Sequence, residues 1–97
     1  MRPAKIIKPG YFQHETDKKR DELDYHNESI VTHGSPVDVL FIGDSITHLW
    51  EVQDYFRTFG RVVNRGICGD VVELLHRRFA ADVIQLKPRV TVLMVGI

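Results

Sequence analysis

A continuous apolar run that ends on Gly-Asp-Ser is the feature that most constrains how this chain folds. Residues 39–42 are Val-Leu-Phe-Ile, and the tripeptide 43–45, Gly-Asp-Ser, follows directly. β-Branched and aromatic residues without a polar interruption are typical of a strand that is buried on both faces, as in a parallel sheet. Because ligands bind at the carboxyl ends of such strands, Ser45 is predicted at that end, on the first turn of a helix.

The predicted position of Ser45 suits a serine nucleophile. Free backbone N–H groups and the positive end of the helix dipole lie at a helix N-terminus, and both favour the negative charge that develops in acyl transfer. The simpler interpretation is a helix cap, because Asp and Ser are both favoured N-cap residues. The tripeptide alone leaves open whether Asp44 and Ser45 only cap the helix or Ser45 reacts.

A second strand end follows at residues 62–70. Val62-Val63 precede the heptapeptide Asn-Arg-Gly-Ile-Cys-Gly-Asp at 64–70. Glycine lets a backbone N–H approach a ligand closely, as an oxyanion donor must, and Gly69 is the stronger of the two candidates for this role. The alternative is a plain two-glycine turn in which Asp70 caps the next helix.

Helical and extended segments alternate along the chain. Residues 13–32 are predicted to form an amphipathic helix that packs with Leu23, His26, Ile30 and Val31, and the charges of this segment are interpreted as a solvated face. Further helices are predicted over 46–56 and 72–86, and a third strand over 90–96. This order predicts an α/β fold with three layers, α/β/α, and a flavodoxin-like parallel sheet of strand order 2-1-3.

The composition argues against a nucleic-acid or membrane partner. Thirteen basic and thirteen acidic residues cancel, and residues 1–10 are too broken by charge and proline for a signal peptide or a membrane span. A cytoplasmic location is therefore expected. The single cysteine, Cys68, excludes an internal disulfide and leaves no spacing typical of a metal site, so no metal is expected. Cys68 is interpreted as a small residue that fills a loop, the alternative being a reactive thiol.

The three strand ends together resemble the SGNH (GDSL-type) hydrolase family. Gly-Asp-Ser-Ile at 43–46, the heptapeptide at 64–70 and the apolar strand at 90–97 occur in that family's order and spacing. The resemblance is strongest to the branch of lipases, esterases and acetylhydrolase-like enzymes, which includes carbohydrate esterases. It implies a serine esterase that hydrolyses acyl esters of small molecules or saccharides without a cofactor. It also implies that residues 1–97 are the amino-terminal part of one such domain, with 1–10 as an irregular lead-in.

The resemblance assigns roles to individual residues. Ser45 matches the nucleophile, and its own N–H matches an oxyanion donor. Gly69 matches the glycine that supplies a second backbone donor. Asp44, Asn64 and Asp70 match positions that support the active-site loops.

Two parts of the family's machinery do not occur in the sequence. The chain stops at Gly96-Ile97, one residue before the asparagine that supplies a third oxyanion donor, and none of the 97 residues begins an Asp-x-x-His segment, which carries the catalytic base. Val71 also replaces the usual threonine or serine, which affects one loop contact. His48 lies one turn after Ser45, but it is predicted to be a solvated surface histidine and is left out of the catalytic set. This polypeptide is therefore expected to be incomplete as a hydrolase.

Other functions remain open at this stage. The missing base favours a non-catalytic module that binds a partner or a saccharide without turnover. Asp44 as a phosphoacceptor is disfavoured, because the acidic cluster and later lysine of such domains are not in the sequence. Strand 90–96 is apolar on both faces and is expected to form an exposed edge, through which a homo-oligomer is possible.

Overall fold

The computed structural model describes residues 3–8 and 14–95. Its helices and strands, in chain order, are α1 (His14–His33), β1 (Val39–Gly43), α2 (Ser45–Leu49), α3 (Val52–Tyr55), β2 (Val62–Gly66), α4 (Val72–Asp82) and β3 (Val90–Met94). Two single turns of 3-10 helix, Arg57–Phe59 and Ile84–Leu86, follow α3 and α4. Residues 3–8 contain no helix or strand, but Ile6 is buried and its N–H donates to Asp24 (2.8 Å). Parts of the predicted lead-in 1–10, helix 13–32 and strand 90–96, and the dipeptide Gly96-Ile97, lie outside the described residues.

The sheet confirms the predicted fold class and strand order. The three strands are parallel and run in the order β2-β1-β3. Gly43, the last residue of β1, pairs with Gly66 of β2 and with Met94 of β3. The carboxyl ends of all three strands are therefore level, and the loops that follow them leave the sheet at one edge.

Helices cover both faces of the central strand. Leu40 and Ile42 are fully buried in a cluster with α4, against which residues of α1 also pack. Phe41 points to the other face and packs with Val52 of α3. Because successive side chains of a strand alternate between faces, the uninterrupted apolar run of β1 produces a three-layer α/β/α arrangement.

Helix α1 ends at His33, one residue beyond the predicted range 13–32. The N–H groups of Gly34 and Ser35 donate to the carbonyls of Val31 and Ile30, which is the Schellman arrangement. Gly34 adopts φ +62°, the left-handed conformation that this arrangement requires. The helix stops there and the chain turns into β1.

The buried face of α1 differs from the prediction. His26 is exposed, and Arg20 and Asn27 lie with Leu23 on the buried side. The interpretation of all charges in this helix as a solvated face is therefore wrong for Arg20. It failed because Arg20 is paired with Asp70, 50 positions away along the chain, and apolar periodicity does not detect such a pair.

The predicted helix 46–56 is two short helices. Trp50 leaves the helical conformation (ψ 126°), and its ring packs edge-on against Phe41 and Phe56, with centroids 5.4 and 5.3 Å apart. Ile46 and Leu49, two apolar residues of α2, are exposed. The chain thus leaves the helical conformation at Trp50, and the ring of this residue packs on β1.

β3 forms one edge of the described sheet. Val90 and Leu93 are each 54% exposed. The exposed apolar edge that the sequence predicts is present within residues 90–94. Pairing of this edge with a second copy stays a prediction. Within residues 3–8 and 14–95, no helix combines the length and apolar character needed to cross a membrane.

Gly66 lets α2 lie directly on β2. A β-carbon at Gly66 would collide with the backbone N of His48 and would lie 2.6 Å from the carbonyl carbon of Thr47. Backbone atoms cannot yield as a flexible side chain can, so any larger residue would push α2 away from the sheet.

Gly66→Ala is expected to destabilise the fold by about 1–3 kcal/mol, the usual cost of forcing an extra methyl group into a packed site. It is also expected to shift the fluorescence of Trp50, the only tryptophan, because α2 leads directly into this residue. Urea unfolding and emission spectra measure both effects. The control is Gly34→Ala, which adds the same methyl group in open space. Because Gly34 has a left-handed conformation, this change is expected to lower the free energy of unfolding by about 1 kcal/mol. Unchanged Trp50 emission in Gly66→Ala would contradict the contact.

Candidate active site

Ser45 is the first residue of α2, directly after the end of β1. Asp44 is the N-cap, and its side chain accepts a hydrogen bond from the N–H of Ile46 (3.2 Å). The Ser45 side chain is exposed, and no group of the described residues bonds to its hydroxyl. Asp44 therefore supplies the cap, which leaves the Ser45 hydroxyl and N–H available for another partner.

The loop after β2 is a tight turn over residues 67–70. The N–H of Asp70 donates to the carbonyl of Ile67 (3.2 Å), and Gly69 adopts φ +87° at the third position. A positive φ at this position is what a type II turn requires, and glycine adopts it without strain. Gly69 is exposed, and its N–H has no acceptor among the residues that the structure describes. This N–H can donate to a ligand.

The two loops lie side by side at the carboxyl edge of the sheet. Gly43 and Gly66 are paired in register, and the N–H of Ile67 donates to the Gly43 carbonyl (3.1 Å). Ser45 follows the first strand end by two residues, and Gly69 follows the second by three. The fold thus brings together the loops that carry the predicted nucleophile and the predicted oxyanion glycine.

Asn64 joins α2 to β2. Its Nδ2 donates to the carbonyls of Thr47 (2.7 Å) and Trp50 (3.0 Å), which are near the end of α2. Its Oδ1 accepts from the N–H of Gly66 (2.8 Å). One side chain therefore satisfies backbone groups on both elements and fixes the helix that begins with Ser45.

Asp70 lies buried between two arginines. Its Oδ1 accepts from Nη2 of Arg20 and its Oδ2 from Nε of Arg78, both at 2.6 Å. The carboxylate is completely buried, so both of its oxygens are satisfied by charged donors instead of water. Asp70 therefore anchors the end of the turn to α1 and α4, and it does not act as a simple helix cap.

Arg78 connects the ends of β1 and β2. Its Nη2 donates to the carbonyl of Gly43 (2.9 Å), and its Nη1 donates to the carbonyl of Arg65 (2.6 Å) and to Asp82 (2.7 Å). The side chain is fully buried. With Asp70, Arg78 therefore holds the roots of both loops of the candidate site.

The buried polar cluster extends to Asn27 and Arg65. Asn27 donates to Asp82 (2.8 Å) and accepts from Nε of Arg65 (2.9 Å). Burial lowers the pKa of Arg65, an effect opposed by the charge of Asp82. The apolar pattern of the sequence does not indicate this cluster. Its one local signal is that Arg78 and Asp82 lie three and seven residues after Leu75, on the same face of α4 as this buried apolar residue.

His48 is not the solvated residue that was predicted. It is half-buried, and its Nδ1 accepts a hydrogen bond from the N–H of Cys68 (2.9 Å). Burial lowers the pKa of His48 below the ordinary value of 6.5. The structure differs because the turn 67–70 folds back onto α2, a contact between residues that are distant in the sequence.

The hydrogen bond from Cys68 also determines whether His48 can act as a general base for Ser45. An Nδ1 that accepts a hydrogen bond leaves the proton of a neutral ring on Nε2. In that tautomer the ring has no free nitrogen to take a proton from Ser45. Of the other histidines, His26, His33 and His76 are exposed and none of them contacts Ser45; the side chain of His14 lies outside the described residues.

Comparison with known proteins gives a likeness in fold. No family model matches the chain, and no curated protein matches it. A solved structure described as "a putative platelet activating factor from Streptococcus pneumonia" is similar, with a TM-score of 0.64 and 27% sequence identity. The match covers 84% of this chain and 38% of that chain, so this chain spans well under half of the length of its structural neighbour.

Arg78→Met is expected to destabilise the protein by about 3–5 kcal/mol, because it leaves Asp70 and Asp82 buried without their shared cation. Its neighbour Arg77 provides a matched control. Arg77→Met removes only an exposed pair with Glu73, worth about 0.3–0.5 kcal/mol. Urea unfolding followed by circular dichroism measures both variants. Equal losses in the two variants would show that the buried cluster does not hold the fold.

Proposed function

We propose that this chain carries the nucleophile of a carboxylic-ester hydrolase of the SGNH (GDSL-type) family. One observation carries the proposal. At a single edge of the sheet, the structure leaves the hydroxyl of Ser45 and the N–H groups of Ser45 and Gly69 without partners among the described residues. The likeness to the streptococcal structure supports the fold that the proposal needs.

The proposed reaction is acyl transfer through Ser45. The hydroxyl oxygen attacks the ester carbonyl while its proton passes to a base, and the carbonyl oxygen becomes an oxyanion. The N–H groups of Ser45 and Gly69 donate to that oxygen, and collapse of the intermediate expels the alcohol, which takes the proton from the base. Water then attacks the acyl group, its proton passes through the base to the Ser45 oxygen, and the carboxylic acid leaves. Side chains and backbone groups suffice for these steps, and no cofactor is proposed.

The base and a third oxyanion donor are implied by the resemblance to the family. It places them in an Asp-x-x-His segment and in an asparagine after the third strand, and neither is in the 97 residues. His48 does not replace the base, because its Nδ1 already accepts from Cys68. The form of the protein with esterase activity therefore needs both groups in addition to these residues.

Asp44, Asn64 and Asp70 have supporting roles in this proposal. Asp44 caps the helix of the nucleophile, Asn64 fixes that helix on β2, and Asp70 anchors the turn of Gly69. Preorganised donors stabilise an oxyanion without a cost of reorganisation at the moment of reaction. These three residues provide that preorganisation without contacting the substrate.

The proposed substrates are acyl esters of small molecules or saccharides, as the resemblance to the family implies. An aryl acetate is a convenient probe of this class. A module that only binds such a ligand, without turnover, is the alternative that the first experiment below separates from the enzyme.

Ser45→Ala is expected to reduce kcat for 4-nitrophenyl acetate by several orders of magnitude, because it removes a covalent nucleophile. The assay uses the protein in its full natural length. Ser29→Ala, which changes an exposed serine on α1, is the control and is expected to keep full activity. Turnover that is equal in both variants would rule out Ser45 as the nucleophile. Ligand binding without any turnover in the wild type would favour the binding module.

Gly69→Ala is expected to lower kcat by about 10²-fold, the usual effect of losing one oxyanion donor. A side chain at φ +87° strains the turn and displaces the N–H. Gly34→Ala introduces the same kind of strain at φ +62°, at the end of α1, and serves as the control for stability. If Gly69→Ala retained the activity of Gly34→Ala, the second donor would have to lie elsewhere.

A further inference from the structure

The hydrogen bond between Cys68 and His48 connects the turn 67–70 to the helix that begins with Ser45. The N–H of Cys68 lies 2.9 Å from Nδ1 of His48. At the other end of the turn, Asp70 is held by Arg20 and Arg78. The turn is thus fixed from both sides, by a neutral ring on one side and by buried ion pairs on the other.

The two anchors leave one peptide of the turn free. The peptide between Ile67 and Cys68 is held by His48, and the N–H of Asp70 is held by the Ile67 carbonyl. Between them lies the N–H of Gly69, which has no acceptor among the described residues. The direction of this N–H therefore depends on the orientation of the peptide planes on both sides of it.

Charged groups from neighbouring elements surround His48. Burial has the largest effect on the pKa of His48 and lowers it. Lys19 on α1 and Arg78 on α4 also lower this pKa, and Glu22 on α1 raises it. His48, Lys19 and Glu22 line an open cavity of about 790 Å³ that also includes Arg65 from β2. The ring is thus held in its neutral form near pH 7, and the cavity gives it access to protons from solvent.

We infer that neutral His48 is a positioning residue for Gly69: by accepting from the Cys68 N–H it fixes the turn that presents the Gly69 N–H, and protonation of His48 releases that turn. A protonated ring carries hydrogen on both nitrogens and cannot accept from Cys68. The role of Gly69 as an oxyanion donor rests on the proposed function. The contact by which His48 holds the turn is independent of the proposed function.

The pH dependence follows from the direction of the pKa shift. Because the folded state lowers the pKa of His48, the hydrogen bond contributes its full stabilisation above the ordinary pKa of 6.5. That stabilisation is lost as the pH falls through the lower pKa of the folded protein. The turn is therefore expected to loosen in mildly acidic solution.

The thiol of Cys68 provides a direct probe of the turn, since it is the only cysteine and is half-buried. At pH 7.5, His48→Leu is expected to react with 5,5′-dithiobis(2-nitrobenzoate) about fivefold faster than the wild type, the factor for losing one net hydrogen bond. His48→Asn retains an acceptor oxygen near the position of Nδ1 and is expected to react at close to the wild-type rate. His26→Asn, a change in the same cavity away from the turn, is the control.

Amide hydrogen exchange at Cys68 tests the protonation step. In the wild type, the protection factor of this N–H is expected to fall as the pH drops through the pKa of His48, which is read from the NMR titration of its ring. In His48→Asn, the same pH change is expected to leave the protection factor constant. In the full-length protein, His48→Leu is expected to lower kcat for an aryl acetate more than it raises KM.

Each of these measurements has a result that would overturn the inference. Equal thiol rates in the wild type and His48→Leu would do so, as would equal rates in His48→Leu and His48→Asn. Constant protection of Cys68 while the His48 ring titrates would exclude the role of protonation. The thiol and exchange measurements need no substrate, so the failure of ester hydrolysis would leave their outcome standing.

Discussion

The ion pair between Asp70 and Arg78 is the interaction on which the rest of the structure depends. Burial of charges carries a large desolvation cost, which is offset here because Asp70 also accepts from Arg20 and Arg78 also donates to Asp82 and to two strand-end carbonyls. These bonds join α1, α4, β1, β2 and the turn after β2. Removal of Arg78 leaves Asp70 and Asp82 buried without the cation that they share, so the cluster depends most on this residue.

This cluster determines the geometry of the candidate site without entering it. Arg78 fixes the carbonyl of Gly43 immediately before the loop of Ser45, and Asp70 fixes the end of the turn that contains Gly69. Asn64 and His48 hold the opposite side through α2. The groups of the proposed site are therefore held by buried hydrogen bonds and ion pairs on both sides, which is what stabilisation of an oxyanion by fixed donors requires.

The sequence was sufficient to predict the parallel sheet, its order and the two strand ends, because an uninterrupted apolar run and flanking glycines are local signals. Three features could not be predicted, because each joins residues that are distant in the chain. They are the hydrogen bonds from Asn64 to α2, the buried polar cluster and the hydrogen bond between Cys68 and His48. Arg20 and Asp70 are 50 positions apart, and His48 and Cys68 are 20 apart. The break after Leu49 was missed for a related reason, because it depends on Trp50 packing against Phe41 and Phe56.

The central claim is that Ser45 is a nucleophile presented at the carboxyl edge of this sheet. Its most direct test is covalent capture: the natural full-length protein is treated with a fluorophosphonate, digested and analysed by mass spectrometry. We expect a single adduct on Ser45, which disappears when the protein is unfolded before treatment. No adduct on Ser45, or equal labelling of Ser45, Ser29 and Ser35, would contradict the assignment of Ser45 as the nucleophile.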